Sequence, residues 1–551
     1  MRKLKLFALL FVLFSISCKS LKDRPNIENY NDQIGERIEV EKDFYVLGPN
    51  KLRKNKQGLW ELYVEGDPLE RGLANGKLTQ ELIFKQEKAF TDKIGDIVTS
   101  KFYLSILKLF VTFFNRQLYL NVDNEFKTEI YGISNYASDE FNYIAPKYTR
   151  LLSYHAAHDI GHALQDLALV GCTSFAAWGD MTDDGELIIG RNFDFYAGDE
   201  FSKEKIIAFV NPDDGQKFMM VTWGGMIGVV SGMNNKGLTI TINAGSSDIP
   251  SKATTPISIL AREILQYATN IDEAIKIAKS REVFVAESIL VGSAADKKAM
   301  IIEVSPNNID YYEVNNKNYM ICSNHFQSNA YANDENNLKR IEESHSKYRF
   351  DKMTELIETP SKLTPQKAVD ILRNKDGLND DKIGYGNEKA INQLLAHHGI
   401  VFKPESLKVW VSSNPYQLGE FVAYDLNTVF NEFKNLKQNR PITTTEFNIA
   451  EDPFLYTDDY KNYEKYRVVK KDIVAKTKNK EHVSNEILEN FETLNANNWE
   501  TYYTLGEYFF SKQYYTKAKM EYEKALTKEV TSIPDVKNIE EKIELCNRKI
   551  N

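Results

Sequence analysis

The segment GCTSF at residues 171–175 and the segment GRNFD at residues 190–194 decide the fold predicted for this chain. The first segment follows a helical stretch, and its residues predict that a strand begins at Cys172. Turn residues separate the two segments, so we expect the second to return antiparallel to the first. Such a hairpin would place Arg191 and Asp194 beside Cys172.

These residue types suit nucleophilic catalysis at Cys172. Gly171 tolerates strained backbone geometry and leaves its carbonyl open to attack. A guanidinium at Arg191 would lower the pKa of the thiol, and the carboxylate of Asp194 would orient an amine. A cut after Gly171 would give Cys172 a free α-amine, whose pKa of about 7.7–8 suits a general base near neutral pH. The alternatives are an ordinary buried cysteine and a structural Arg191–Asp194 ion pair.

The arrangement resembles the N-terminal-nucleophile hydrolases, and specifically the branch that contains the acyl-CoA:6-aminopenicillanic acid acyltransferases and the choloylglycine hydrolases. Further motifs of that branch have counterparts here, in the same order along the chain. They are EGDPLERG at residues 65–72, SGMNNKGL at residues 231–238, CSNHF at residues 322–326, and Ser346-x-x-Arg349. The resemblance therefore extends over roughly residues 40–440.

The resemblance implies a role for each matched residue. Cys172 would be the nucleophile, with the autocleavage site between Gly171 and Cys172, and Arg191 and Asp194 would orient it. The oxyanion donors would be the backbone amide of Asn243 and the side chain of Asn324. Arg349 would support the site. The alternatives are that Asn243 only ends a strand, that Asn324 is a turn residue, and that Arg349 is a solvated helix charge. The implied reaction is hydrolysis of a small or non-peptide amide, or acyl transfer between a thioester and an amine. It needs no cofactor and no metal, and we expect the acyl group to be apolar.

The predicted catalytic domain covers residues 172–440. Short strands bounded by turn residues, then helices, then strands again favour an α+β domain. The resemblance makes this a four-layer αββα sandwich of two antiparallel sheets. The apolar periodicity also predicts one helix over residues 257–278 and another over 336–356.

The chain is predicted to continue on both sides of this domain. Residues 41–171 form a pro-segment that is mainly helical after a short strand-like start, in which residues 52–64 alternate. Residues 441–551 form an α-helical extension. Within the extension, residues 502–525 have the spacing of one tetratricopeptide-like helical hairpin. One repeat cannot bury its own apolar face, so the hairpin either caps the catalytic domain or docks a protein partner.

The first residues predict an exported lipoprotein. A positively charged start and an apolar run form a signal peptide over residues 1–18, and the run is too short to span a membrane. Cys18 resembles the acylated cysteine of a bacterial lipobox, which makes residues 19–40 a tether. We therefore expect lipid anchoring to a membrane of the bacterial cell envelope. The alternative is a cleaved signal in which Cys18 is incidental.

Composition limits the kinds of binding partner expected for the protein. The net charge of −9 comes without a basic stripe, which argues against a nucleic-acid partner. Four cysteines are too few for a disulfide scaffold in an exported chain of 551 residues. The expected partners are a small acyl-amide or thioester substrate, the membrane through the anchor, and a protein at the helical extension.

Two other classes of function remain open. His155, His158 and His162 are spaced along one helix face, as in metal-binding helices, and would suggest a zinc-dependent hydrolase. The general-base glutamate of such motifs is replaced by Asp159, and no third ligand is evident downstream. A non-enzymatic surface lipoprotein that docks partners through its helical tail is the second class.

Overall fold

The computed structural model of the protein describes residues 24–97, 115–156, 171–246 and 253–550. The predicted signal peptide, Cys18, His158 and His162 lie outside these ranges. Within them, no helix has both the length and the apolar character needed to cross a membrane.

One large sheet contains most strands of the described chain. These strands are β1 (Ile38–Glu41), β2 (Phe44–Leu47), β3 (Asn50–Lys54), β4 (Trp60–Gly66), β7 (Ile206–Pro212), β8 (Phe218–Thr222), β9 (Ser231–Asn234), β10 (Leu238–Ala244), β11 (Glu287–Ser293), β12 (Lys298–Val304) and β13 (Ile309–Tyr312), in that spatial order. Neighbours are antiparallel except β4 and β7, which pair in parallel with Leu62 opposite Ala208. The segment before Cys172 is thus joined to the strands after it within one sheet.

A smaller antiparallel sheet carries the predicted hairpin. Its strands are β5 (Thr173–Ala177), β6 (Ile188–Phe193), β14 (Tyr319–Cys322), β15 (His398–Lys403), β16 (Lys408–Ser412) and β17 (Phe421–Asp425), in the spatial order β14-β5-β6-β15-β16-β17. Ser174 lies opposite Arg191, which confirms the predicted antiparallel return of the second segment.

Helices flank the sheets and form the C-terminal region. They are α1 (Pro68–Ile97), α2 (Asn124–Ser134), α3 (Lys147–His155), α4 (Asp199–Lys203), α5 (Ile257–Tyr267), α6 (Ile271–Lys279), α7 (Glu335–Glu343), α8 (Ser346–Ile357), α9 (Pro365–Leu372), α10 (Leu426–Glu432), α11 (Asp458–Lys478), α12 (Asn485–Leu494), α13 (Trp499–Ser511), α14 (Tyr515–Leu526) and α15 (Ile533–Ile550). The chain therefore has a mixed α/β fold with a C-terminal helical region.

Three apolar clusters hold these elements together, because successive strand residues point to opposite faces of a sheet. Phe209 of β7 packs in a cluster with side chains of both sheets, including Val411 of β16. Ala208, one residue earlier, belongs to a cluster that covers the other face of the large sheet with α1, α2 and α5. A third cluster joins Phe175 of β5 to Met353 of α8, on the outer side of the small sheet.

Both helices that the periodicity predicts as continuous are interrupted. The first breaks between α5 and α6 because the side chain of Asn270 accepts a hydrogen bond from the backbone of Glu273 and starts a new helix. The second breaks at Ser344, so that α8 begins at Ser346. This second break brings Ser346 and Arg349 to the carboxyl end of β14, where Asn324 lies.

The segment before Cys172 starts with strands and continues with helices. Helices α1 to α3 occupy much of it, but residues 38–66 form four strands of the large sheet. The parallel pairing of β4 with β7 joins residues that are far apart in sequence. Local periodicity carries no signal for such a pairing.

Helices α13 and α14 form the hairpin expected near the C-terminus. They approach closely at Gly506, where an added Cβ would lie 2.5 Å from the ring of Tyr522. The helical region packs on the sheet domain, because Leu394, Tyr416 and Leu418 belong to its apolar cluster. This contact agrees with a cap; the likeness to a tetratricopeptide repeat stays a prediction.

We expect Gly132→Ala to destabilise the protein by about 1–3 kcal/mol, since a Cβ at this position overpacks the contact between α1 and α2. The added atom would lie 2.7 Å from the backbone nitrogen of Leu73 and 2.8 Å from the carbonyl carbon of Gly72. Gly95→Ala is the matched control, because Gly95 lies in α1 with nothing within 4 Å of its Cβ position. Thermal unfolding should show a lower Tm for Gly132→Ala and an unchanged or higher Tm for Gly95→Ala. Equal behaviour of the two variants would contradict this packing.

Candidate active site

Arg191 is fully buried and binds the thiol of Cys172. Its Nη2 donates to Cys172 Sγ at 3.5 Å and to the carbonyl of Ile242 at 2.6 Å. Its Nη1 donates to the carbonyl of Val230 at 3.1 Å and to Ser231 Oγ at 2.5 Å. The guanidinium of β6 is thereby fixed against β9 and β10 of the large sheet and held at the sulfur.

Cys172 is 0% exposed in the uncut chain. Burial raises the pKa of its thiol to about 11, an effect that the positive charge of Arg191 opposes and the negative charges of Asp194 and Glu287 reinforce. A hydrogen bond from the backbone of Asp194 also lowers the thiol pKa. At neutral pH the buried thiol is therefore protonated, and it needs a base to become a nucleophile.

Asp194 lies beside Gly171 and Cys172, the two residues between which the chain would be cut. Its carbonyl accepts a hydrogen bond from the backbone amide of Gly171 at 3.1 Å. Burial raises the pKa of its carboxyl group to about 7, although Arg349 and Arg191 lower it. Among the described residues, Asp194 Oδ1 has no hydrogen-bond partner. The carboxyl group thus keeps one oxygen without a hydrogen bond, and its charge acts on the thiol of Cys172.

Arg349 joins the strand that starts at Cys172 to Asn324. Its Nη1 donates to the carbonyl of Cys172 at 2.8 Å and to Thr173 Oγ1, and its Nη2 donates to Asn324 Oδ1 at 2.7 Å. Because a guanidinium only donates, Asn324 must turn its Oδ1 towards Arg349 and its Nδ2 away. Burial lowers the pKa of Arg349 to about 10, which keeps it charged at neutral pH.

Asn324 and Asn243, the two predicted oxyanion donors, are both buried. Asn324 Nδ2 donates one hydrogen to the carbonyl of Ala244 at 2.9 Å, which leaves its second hydrogen for another acceptor. The side chain of Asn243 accepts from Ser174 Oγ at 2.8 Å and donates to the carbonyl of Cys322 at 3.0 Å. These bonds occupy the Asn243 side chain, in keeping with a predicted role that uses its backbone amide.

Four further residues belong to this site. They are Gln393, whose Nε2 donates to the carbonyl of Gly171 at 2.9 Å; Ser346, whose Oγ accepts from the backbone of Asn324 at 2.8 Å; His398, whose Nε2 lies 2.9 Å from Ser231 Oγ; and the buried Glu287. Of these, the sequence analysis named only Ser346, in the Ser-x-x-Arg segment. No local sequence pattern singles out Gln393 or Glu287.

His155 does not offer a ligand atom to a metal. Its Nδ1 lies 2.8 Å from the carbonyl of Leu151, and its Nε2 accepts from the backbone amide of Ile227 at 3.0 Å. Burial lowers the pKa of His155 to about 4, so the ring is neutral. The parts of the chain that the structure describes contain no cluster of His, Cys, Asp or Glu side chains arranged for a metal ion. His158 and His162 lie outside those parts.

A family model described as acyl-coenzyme A:6-aminopenicillanic acid acyl-transferase matches residues 181–414. This region is less than half of the 551-residue chain and begins after Cys172. It contains the other predicted catalytic residues, namely Arg191, Asp194, Asn243, Asn324 and Arg349. The match supports an activity of the amidohydrolase or acyltransferase kind.

Two curated proteins are similar to part of the chain. An uncharacterised protein of Archaeoglobus fulgidus is 26% identical over 271 residues, which are 45% of this chain and 44% of that protein. Protein dcd1B of Dictyostelium discoideum is 22% identical over 263 residues, which are 44% of this chain and 50% of that protein. The chain spans about half the length of these relatives.

Solved structures similar to the chain include two hydrolases. One is the Caenorhabditis elegans ortholog of N-acylethanolamine-hydrolyzing acid amidase, with 18% identity, a TM-score of 0.31, and coverage of 42% of this chain and 93% of that one. The other is a mutant of the conjugated bile acid hydrolase from Clostridium perfringens, with 13% identity, a TM-score of 0.33, and coverage of 49% of this chain and 98% of that one.

We expect Arg191→Met to raise the pKa of the Cys172 thiol, because the variant removes the cation bonded to the sulfur. Each unit of pKa increase would slow alkylation at neutral pH about tenfold. The measurement is the pH dependence of iodoacetamide labelling at Cys172, resolved from Cys322 and Cys546 by peptide mass. Arg281→Met is the control, since Arg281 pairs with Asp123 and Glu263 instead. An unchanged labelling profile in Arg191→Met would contradict the contact.

Proposed function

We propose that the protein is a self-processing cysteine amidohydrolase or acyltransferase of the N-terminal-nucleophile type, with Cys172 as its nucleophile. The observation that carries the proposal is the contact of Arg191 Nη2 with Cys172 Sγ at 3.5 Å, beside a peptide bond whose carbonyl is already hydrogen-bonded. The family match to residues 181–414 supports the same class of reaction.

The first reaction is the cut between Gly171 and Cys172. Asp194 takes the thiol proton, the sulfur attacks the carbonyl carbon of Gly171, and the bond from that carbon to the Cys172 nitrogen breaks as the nitrogen gains a proton. The product is a thioester between Gly171 and the sulfur. Water hydrolyses the thioester, which gives a carboxylate at Gly171 and a free thiol and α-amine at Cys172.

The second reaction repeats this chemistry on a substrate. The new α-amine of Cys172 takes the thiol proton, and the sulfur attacks an amide or thioester carbonyl. The free hydrogen of Asn324 Nδ2 and the backbone amide of Asn243 stabilise the oxyanion, and Arg349 holds Asn324 in the donating orientation. Transfer of the acyl group to water makes the enzyme a hydrolase, and transfer to an amine makes it an acyltransferase.

The substrate in this proposal is a small amide or thioester with an apolar acyl group. Buried aromatic rings share an apolar cluster with Cys172: the Phe193 ring of β6 stacks against Phe195 and Trp223, with ring centres 5.7 Å and 6.4 Å apart. The guanidinium carbon of Arg191 lies 4.2 Å from the centre of the Phe193 ring. Apolar surroundings of this kind favour an apolar acyl group over a charged one.

The remaining architecture belongs to the same proposal. The helix and sheet clusters support a four-layer αββα sandwich over residues 172–440, with residues 41–171 as its pro-segment. Residues 441–551 form a tetratricopeptide-like cap that also serves as the docking region for any protein partner. Residues 1–18 direct export, Cys18 carries the lipid, and residues 19–40 tether the enzyme to the cell-envelope membrane.

We expect the purified protein to hydrolyse members of a panel of N-acyl amino acids, lipid amides and β-lactam amides. A slow substrate should leave its acyl mass on the peptide that begins at Cys172. Cys172→Ala should abolish both signals, whereas Cys546→Ala should leave them unchanged, because Cys546 is buried in the helical region. Full hydrolysis by Cys172→Ala would contradict the assignment. Hydrolysis that occurs only when zinc is added would contradict it too.

The rate of self-cutting should depend on pH through Asp194. The carboxyl group is a base only above its pKa of about 7, so the rate should rise as pH increases through 7 and level off above it. Asp194→Asn should lose this rise and cut at least about 10²-fold more slowly. Asp199→Asn is the control, since Asp199 pairs with Arg467 instead. A flat pH profile for the unsubstituted chain would rule out Asp194 as the base.

A further inference from the structure

Gln393 is the only side chain of the described residues with a hydrogen bond to the carbonyl that the self-cutting reaction attacks. Its Nε2 donates to the carbonyl of Gly171 at 2.9 Å and lies 3.5 Å from Asp194 Oδ2. The side chain is 2% exposed, so no bulk water competes for this carbonyl. The amide therefore polarises the bond to be broken and stands next to the base.

The residue at position 171 leaves room for this contact only because it is glycine. A Cβ on Gly171 would lie 2.8 Å from Gln393 Nε2 and 3.0 Å from Gln393 Oε1. Contacts this short are not tolerated, so any larger residue would push the amide away from the carbonyl. The glycine before the nucleophile thus serves the donor as well as the backbone.

The backbone on both sides of Gln393 is held in place. The carbonyl of Ile391 accepts from Asn192 Nδ2 at 3.0 Å, which ties the segment to β6 beside Arg191. Leu394 has φ of +52°, a left-handed conformation that is unfavourable for a residue with a branched side chain. Its side chain is 1% exposed and lies in the apolar cluster of the helical region, which holds the strained backbone in place.

The same segment is bonded to the helical region at its other end. The backbone amide of Tyr385 donates to Asn495 Oδ1 at 3.1 Å, and its carbonyl accepts from Asn495 Nδ2 at 2.8 Å. Asn387 Nδ2 donates to the carbonyl of Glu529 at 2.8 Å, and Lys389 pairs with the Glu529 carboxylate at 2.5 Å. We call residues 383–394 the clamp segment, because it connects the helical region to the carbonyl of Gly171.

We propose that Gln393 is the oxyanion donor of the self-cutting reaction and that the C-terminal helical region acts on that reaction by holding the clamp segment. The inference rests on the proposed function and adds a residue and a role to it. When the sulfur attacks, the carbonyl oxygen of Gly171 becomes an oxyanion, and the hydrogen bond from Gln393 Nε2 strengthens. This interaction is worth more in the transition state than in the uncut chain, which is the condition for catalysis.

The test measures how fast newly made full-length chain is converted into the fragment that begins at Cys172. Gln393→Leu keeps the size of the side chain and removes the donor, and we expect a rate lower by about 10²–10³-fold. Gln393→Asn keeps an amide but shortens its reach, so we expect a rate between those of Gln393→Leu and the unsubstituted chain. Hydroxylamine cleaves thioesters, and it should not restore the rate of Gln393→Leu, since the slowed step precedes the thioester.

A second measurement separates this role from a merely structural one. Gly171→Ala should slow cutting because it displaces the Gln393 amide, and the double variant with Gln393→Leu should be no slower than the slower single variant. Additive losses would mean that the two residues act independently and would overturn the proposal. The Tm of each variant identifies any that fails to fold.

The role of the helical region is tested by Asn495→Ala, which removes the two bonds of Asn495 to Tyr385 and leaves only the bond from Asn498 Nδ2 to the Tyr385 carbonyl. We expect slower cutting, with Asn490→Ala at an exposed position of α12, the helix that ends just before Asn495, as the unchanged control. If Gln393→Leu cuts within about threefold of the unsubstituted rate, Gln393 is not the donor; if Asn495→Ala does, the helical region has no role in cutting. Either result would leave the proposed function intact. An unsubstituted chain that never cuts would overturn both.

Discussion

The buried guanidinium of Arg191 is the interaction on which the rest of the site depends. A charge of this kind is expensive to remove from water, by several kcal/mol, unless its hydrogens find acceptors. The Nη1 and Nη2 of Arg191 find them at Val230, Ser231 and Ile242 and at the sulfur of Cys172, whereas its Nε has no partner among the described residues. The two sheets are thereby held in one relative position at Cys172, the proposed nucleophile, and the cation lies where a thiolate would form.

A second buried arginine extends this arrangement. Arg349 contacts the carbonyl of Cys172 and orients Asn324. It reaches them because the helical conformation is interrupted between α7 and α8. Ser346, the first residue of α8, bonds the backbone of Asn324 from the other side. Asn324, the proposed oxyanion donor, is therefore held by the start of a helix.

The sequence predicts those parts of the site that depend on local order. The hairpin of β5 and β6 follows from turn residues between two strands, and it alone brings Arg191 and Asp194 to Cys172. The motif with Asn324 and the Ser-x-x-Arg pair predicted two further residues of the network, although not the helix break that brings them together.

Contacts between residues far apart in the chain could not be predicted from the sequence. Gln393 is separated from Gly171 by 222 positions, and its contact depends on a clamp segment that the helical region holds from outside. The parallel pairing of β4 with β7 is of the same kind. Both depend on how separate elements pack, and neither leaves a periodic pattern in the chain.

The helical region thus has a physical reason to be part of this chain. It packs on Leu394, Tyr416 and Leu418, and it bonds the segment that leads to Gln393. In this account the helical region supports the site through the clamp segment, independently of any protein partner that it binds.

The most direct test of the central claim is the N-terminal sequence of the fragments in purified, active protein. The account predicts a large fragment that starts Cys-Thr-Ser-Phe, as at residues 172–175, with a free α-amine. An active preparation that consists of one uncut chain, or that is cut at another position, would contradict it.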